Sequence, residues 1–265
     1  MRETCRDLLD EYRALADLCA TLGPEDWRRE TAFYGWTPWD EVAHLCYFDQ
    51  TALQSVNDPE AFIADAKVLG RLMADGGQIS AVARETFGGL DGPALLERWR
   101  GAFEPRVAAL ARQDPRARLN WYGPTMSARS FATARLMETW AHGQDIWDVM
   151  RRPRPGSARL KAIAHIGVST FGWTFVNRQL PVPGVQPFVE LTAPDGSVLT
   201  WGDPSATDFV RGSLQDFCLL VTQRRNRADT GLTWSGDAAE QWTRFAQCFA
   251  GPPVDGPAPG QRPAL

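Results

Sequence analysis

The chain of 265 residues is 44% hydrophobic and 23% charged, a composition that sets it among globular proteins and apart from disordered ones. Its net charge of -4, with basic residues scattered among acids, gives no electrostatic case for nucleic acid, which needs clustered Lys and Arg. No run approaches the roughly 18 apolar residues of a membrane span, and the N-terminal MRETCRDLLDEYRALADLCATL is charged at every turn, unlike a secretory leader. A cytoplasmic protein without a membrane partner is expected.

Apolar residues recur at helical spacing from residue 4 to 22 (Leu8, Tyr12, Leu15, Cys19, Leu22) and stop at Gly23-Pro24, which predicts a first helix. A second starts near Thr37, where a capping hydroxyl precedes Pro38 and the acids Asp40 and Glu41 favour the positive end of the dipole. Residues 59–74 read as helix, the Gly76-Gly77 pair as a break and ISAVARETF as a short helix. A further helix begins near Pro93, and Pro105 is expected to kink or divide it. After the Gly123-Pro124 turn, a helix capped near Ser127 runs to the Arg-Pro stretch at 152–155. Four long helices with mostly short connections predict a four-helix bundle over residues 1–152.

The pattern then changes. One helix over about 157–178 leads to FVELTAPDGSVLTWG, two alternating runs around a Pro-Asp-Gly turn, which predicts a hairpin. A strand and helix in TDFVRGSLQDFCLLVTQRR, a strand in GLTWSG and a last helix in AAEQWTRFAQCFAG complete a small α+β domain with a mixed sheet over 153–250. The tail 251–265 is rich in Pro and Gly and is expected to be disordered. The fold class is thus α+β, a bundle followed by the smaller domain.

The chain has only three histidines, His44, His142 and His165. Glu138 and His142 lie four residues apart and therefore one turn apart on a single helix face, among Leu136, Met137, Trp140 and Ile146. A carboxylate among such neighbours is costly unless it is paired or holds a metal. His44 enters the second helix at the depth of Val42, Leu45 and Phe48, and a His on one bundle helix with a Glu-x-x-x-His pair on another can make a three-donor metal site. Two imidazoles and one carboxylate leave a coordination position open, as in catalytic zinc sites, and the set also suits iron(II), nickel or manganese. On spacing alone, a salt-bridged Glu and His remains an equal reading.

The segments GWTPWDEVAHLCYFD and METWAHGQDIWD resemble the signature of the DinB-like metalloenzyme superfamily, in the branch of mycothiol-dependent maleylpyruvate isomerase. The resemblance covers nearly the whole chain and extends to an actinobacterial metal-binding subfamily, through NWYGPTMSARSFATARLMETWAHGQDIWD and DFCLLVTQRR. It implies His44, Glu138 and His142 as ligands of a divalent metal, Zn2+ before Ni2+ or Fe2+, and mycothiol as a cosubstrate. The implied activity is that of a transferase or isomerase: the thiol adds to a small electrophilic substrate, either as an S-transfer or as a cis-trans isomerisation by addition, rotation and elimination. The alternatives are a Lewis-acid isomerase or cyclase that uses no thiol, and a metal or small-molecule binding protein. No residue here matches the arginine with which the isomerase binds its substrate, and Arg71, Arg84 and Arg129 are the candidates left.

Several neighbours could tune such a site. Asp145, almost one turn beyond His142, could accept its free imidazole N–H. Asn120 and Tyr122, with Trp121, precede the Gly123-Pro124 turn and could line a substrate pocket, though packing of the bundle end suits those aromatics better. His165 has no partner at ligand spacing and reads as structural. The five cysteines, Cys5, Cys19, Cys46, Cys218 and Cys248, form no CxxC pair and read as reduced, mostly buried thiols.

Overall fold

The computed structural model describes residues 1–262. The chain divides into two compact units, Met1–Arg152 and Pro153 onward. In the first unit, α1 (Arg2–Cys19), α2 (Pro38–Asn57), α5 (Gly92–Ala111) and α6 (Ala128–Val149) are the long helices, and α3 (Pro59–Ala74) and α4 (Ile79–Phe87) pack against α2. α1 lies on α5 and α6, and α2 packs on both α5 and α6. Leu8, Tyr12 and Leu15 of α1, Leu45 of α2, Trp99 of α5 and Phe131, Leu136 and Trp140 of α6 are buried between them. α5 continues through Pro105, contrary to the division expected there: the proline removes one main-chain donor while Trp99, Phe103 and Val107 keep both halves buried in the core.

The start of α2 is fixed tightly, which matters because it sets the depth of His44. Thr37 and Asp40 form a capping box, in which Asp40 N donates to Thr37 Oγ1 at 3.3 Å and Thr37 N donates to Asp40 Oδ2 at 2.9 Å. Arg84 of α4 closes on the same carboxylate with Nε at 2.7 Å and Nη2 at 2.9 Å. Burial pushes the Asp40 carboxyl up, but the bonds from Arg84 and Thr37 outweigh it and hold the group below its ordinary value of 3.8. A depressed carboxyl stabilises the fold fully above its unfolded value and loses that contribution as pH falls through the folded one. Between neutral pH and about pH 3, wild type is therefore expected to lose roughly 1 kcal/mol more stability to urea than Asp40→Asn. Equal losses in the two proteins would contradict this role.

A two-residue ribbon, β1 (Arg118–Leu119) with β2 (Met126–Ser127), leads into α6, whose cap Ser127 Oγ accepts Ser130 N at 3.1 Å. In the second unit, the single helix expected over 157–178 is two, α7 (Leu160–Ser169) and α8 (Phe171–Asn177). Thr170 breaks it: its hydroxyl donates back to Ile166 O at 2.8 Å, competing with the main-chain ladder. The hairpin joins β3 (Phe188–Thr192) to β4 (Val198–Trp201) through Pro194, Asp195 and Gly196, the glycine taking a φ of 82° that a side chain would disfavour. β5 (Phe209–Ser213) runs parallel to β3 and β6 (Thr233–Ser235) antiparallel to β5, giving a mixed sheet in the order β4-β3-β5-β6. α9 (Leu214–Val221) follows β5 directly, and α10 (Asp237–Phe245) follows β6.

The stretch expected to be disordered is held down over 251–262. Its prolines leave carbonyls with no ladder of their own, and side chains of the second unit take them up: Gln223 Nε2 donates to Val254 O at 2.8 Å and Asn226 Nδ2 to Pro257 O at 2.9 Å. Gly260 N donates to Asp229 Oδ2 at 2.9 Å, and Arg262 is buried. Residues 263–265 of that expectation lie outside the described residues.

Candidate metal centre

α2 and α6 pack against each other and bring His44, Glu138 and His142 together in the first unit. Glu138 Oε2 sits between two imidazoles, 3.3 Å from His142 Nε2 and 3.6 Å from His44 Nε2. The two ring centroids are 4.3 Å apart. His142 is 6% exposed, His44 12% and Glu138 27%, so the carboxylate stands on the open side of the cluster.

These separations are long for charge-assisted hydrogen bonds, which close to about 2.7–2.9 Å. They match the edge of a coordination tetrahedron, about 3.3 Å for donors that are 2.0–2.1 Å from one ion. Protonation fits the same use. Burial, with the charge of His142 beside it, pushes His44 down to about 4, so its imidazole is neutral and carries a lone pair at neutral pH. Burial alone would raise Glu138, but the neighbouring His142 and His44 imidazoles outweigh it and hold the carboxyl well below its usual range. Neutral imidazoles and ionised carboxylates are the forms that bind metal. The residues present therefore fit a divalent cation.

Aromatic rings wall the cluster. Trp36, in the loop before α2, stacks on His142 at 5.8 Å with 12° between planes, and Phe33 meets the same ring edge-on at 5.2 Å. Phe48 packs against His44 at 4.7 Å, and Tyr122 against Phe48 at 5.3 Å. Tyr122 thus stands one ring away from His44, in a cluster with Trp121 and Phe62. Asn120 is fixed by its main chain, whose carbonyl accepts Ser55 Oγ at 2.6 Å.

His142 Nδ1 has a partner that the sequence reading did not name. Glu41 Oε2 lies 2.6 Å from Nδ1, and a carboxylate oxygen of Asp145 lies within 4.8 Å of a ligand atom of each of the two residues. Glu41 is fully buried, and Thr31 Oγ1 donates to its other oxygen at 3.2 Å. The sequence carried a signal for it: Glu41 precedes His44 by three residues and so shares its helix face. Reading it only as a dipole residue at the helix start missed this.

Also missed was the charge cluster beside the site. Asp49 of α2 is fully buried, with Oδ1 2.8 Å from Arg106 Nη1 and 2.9 Å from Arg135 Nη2. It accepts the Tyr12 hydroxyl at 2.7 Å and Trp99 Nε1 at 2.7 Å. Arg135 precedes Glu138 by three residues on α6, and its charge acts on both Glu138 and His44. Two guanidinium groups share one carboxylate there.

The remaining residues have local roles. His165 Nδ1 accepts Trp201 Nε1 at 3.3 Å within the second unit. Arg84, one of three arginines considered for substrate, is engaged by Asp40. All five cysteines are buried, and burial pushes the Cys19 and Cys46 thiols up to about 12.

The match to known proteins follows this geometry. Residues 8–147, which include all three donors, match the family model of the mycothiol maleylpyruvate isomerase N-terminal domain. Two uncharacterized proteins of Mycobacterium tuberculosis, from strains CDC 1551 / Oshkosh and ATCC 25618 / H37Rv, are each 39% identical over 253 residues, 94% of this chain and 96% of theirs. A crystal structure of the mycothiol-dependent maleylpyruvate isomerase shares the fold with a TM-score of 0.54 at 16% identity, over 88% of this chain and 92% of that one. A histidine-to-alanine variant of that enzyme matches with a TM-score of 0.55 at 14% identity, again over 88% of this chain and 92% of that one. Among the described residues no helix is long and apolar enough to cross a membrane. The chain belongs to the mycothiol maleylpyruvate isomerase N-terminal domain family, within the DinB-like superfamily.

Proposed function

We propose that the protein is a divalent-metal-dependent enzyme that uses a low-molecular-weight thiol, mycothiol, on a small electrophilic substrate, as an isomerase or an S-transferase. The observation that carries this reading is the set of three donor atoms, two imidazole nitrogens and one carboxylate oxygen, separated by 3.3 Å and 3.6 Å around Glu138 Oε2. A divalent cation held by His44, Glu138 and His142, zinc by preference, would supply an open position at which a thiol loses its proton near neutral pH.

The chain's own groups support a thiol brought from outside. The cysteines are buried and, at Cys19 and Cys46, pushed up to about 12, so they make poor nucleophiles. Trp36 and Phe33 cover the His142 ring and exclude water from its side of the cluster, while Glu138 borders the opening. Arg135 and Arg106, paired with Asp49, set guanidinium charge beside the cluster, and that of Arg135 acts on Glu138 and His44.

The test is turnover. Zinc-loaded protein with mycothiol is offered maleylpyruvate and a panel of small conjugated ketones and alkyl electrophiles. Cis-trans conversion or loss of free thiol, dependent on mycothiol and absent in His142→Ala, is the expected result. Turnover that proceeds equally well without thiol would replace this reading with a Lewis-acid isomerase or cyclase.

A further inference from the structure

We infer that Glu41 is the positioning residue of this centre: its carboxylate holds the proton on His142 Nδ1 and leaves the lone pair on Nε2, facing Glu138 and His44. Its purpose rests on the metal reading above, whereas the tautomer belongs to the metal-free chain. Placement near the start of α2 would suit an acid interacting with the helix dipole, but an exposed side chain does that equally well. Glu41 is instead fully buried, and an ionised carboxylate in that position needs strong partners. It has them in His142 Nδ1 at 2.6 Å and the Thr31 hydroxyl at 3.2 Å.

Thr31 is itself pinned. Its N–H donates to Trp36 O at 2.7 Å, and its hydroxyl oxygen accepts Phe33 N at 3.2 Å. One short loop therefore holds Glu41 through Thr31 and covers the His142 ring through Phe33 and Trp36. The ring is fixed in tilt by its aromatic neighbours and in rotation by the Nδ1 bond. Glu41, His142 and Asp145 also form a close group, but a 2.6 Å contact is too short for two ligands of one ion, which stand about 3.3 Å apart at zinc distances. It is a hydrogen bond, of the kind that orients a metal-ligating imidazole and strengthens it as a donor.

With only three histidines, ring-nitrogen spectra can be assigned by substitution. Full-length protein labelled with 15N in its histidine rings is examined metal-free, then titrated with zinc against a competing chelator, as wild type, Glu41→Gln and Glu41→Ala. Wild type is expected to show His142 as the Nδ1–H form. Glu41→Ala should shift the proton to Nε2, toward Glu138, and weaken zinc binding by about 10–100-fold. Glu41→Gln, nearly the same shape and still able to accept from Nδ1, should keep the tautomer and lose about tenfold in affinity, so the test survives if the alanine variant fails to fold. An Nε2–H ring in wild type, or unchanged zinc affinity in Glu41→Gln, overturns the inference. Wild type that shows the Nδ1–H form yet binds no zinc supports the Glu41 bond and removes the metal reading instead.

Discussion

Asp49→Asn is expected to destabilise the first unit by about 3–5 kcal/mol, the usual cost of breaking a buried ion pair by removing one partner. The carboxylate is the shared anion of Arg106 and Arg135, and all three side chains are 4% exposed or less. Asparagine keeps the shape and can still accept from Tyr12 or Trp99, but it takes from two buried guanidinium groups the anion they share. Their desolvation is then uncompensated. Because the chain has two units, a single unfolding transition is not a safe measure. Amide hydrogen exchange in α1 and α5, whose Tyr12, Trp99 and Arg106 close on Asp49, reads the first unit alone. A change under about 1 kcal/mol would show that the cluster is worth little. The same substitution should disturb the metal centre, since Arg135 lies one turn before Glu138 and would lose the partner that holds it away.

The second large effect is linkage. Zinc that binds the folded unit and not the unfolded chain, at a hundredfold its dissociation constant, is expected to stabilise it by about 2.7 kcal/mol. Glu138→Gln should abolish that gain. Glutamine offers a weaker neutral oxygen at the point where the carboxylate bridges the imidazoles at 3.3 Å and 3.6 Å. His165→Ala, in the second unit, should keep the full gain, because that ring's contact is with Trp201. Exchange rates of α2 and α6 amides with and without zinc measure both variants. Equal stabilisation of wild type and Glu138→Gln would place the ion elsewhere.

What the sequence revealed and what it concealed divide along physical lines. Local signals were legible: the Thr37-Pro38 start of α2, the Ser127 cap of α6 and the Pro-Asp-Gly turn all depend on neighbours within a few residues. Glu138 and His142 were legible for the same reason, being one turn apart on one helix. Glu41 and His142 meet across 101 residues, and Asp49 meets Arg135 across 86, so their pairing is a product of helix packing that no local pattern carries. The order of residues 251–262 was hidden because it comes from amide side chains elsewhere in the second unit and not from the segment's own composition. Thr170 divides a helix through a hydroxyl bond that competes with the main chain, an effect that apolar periodicity alone cannot detect.

The most direct measurement is the metal content of the full chain, purified without chelators or a histidine tag, beside His142→Ala prepared identically. About one divalent ion per wild-type chain is expected, and roughly a tenth of that or less in the variant, since two remaining donors leave half the positions of a four-coordinate ion to water. No stoichiometric metal in wild type, even after incubation with zinc, nickel and iron(II), would contradict the account and leave His44, Glu138 and His142 as a buried polar network.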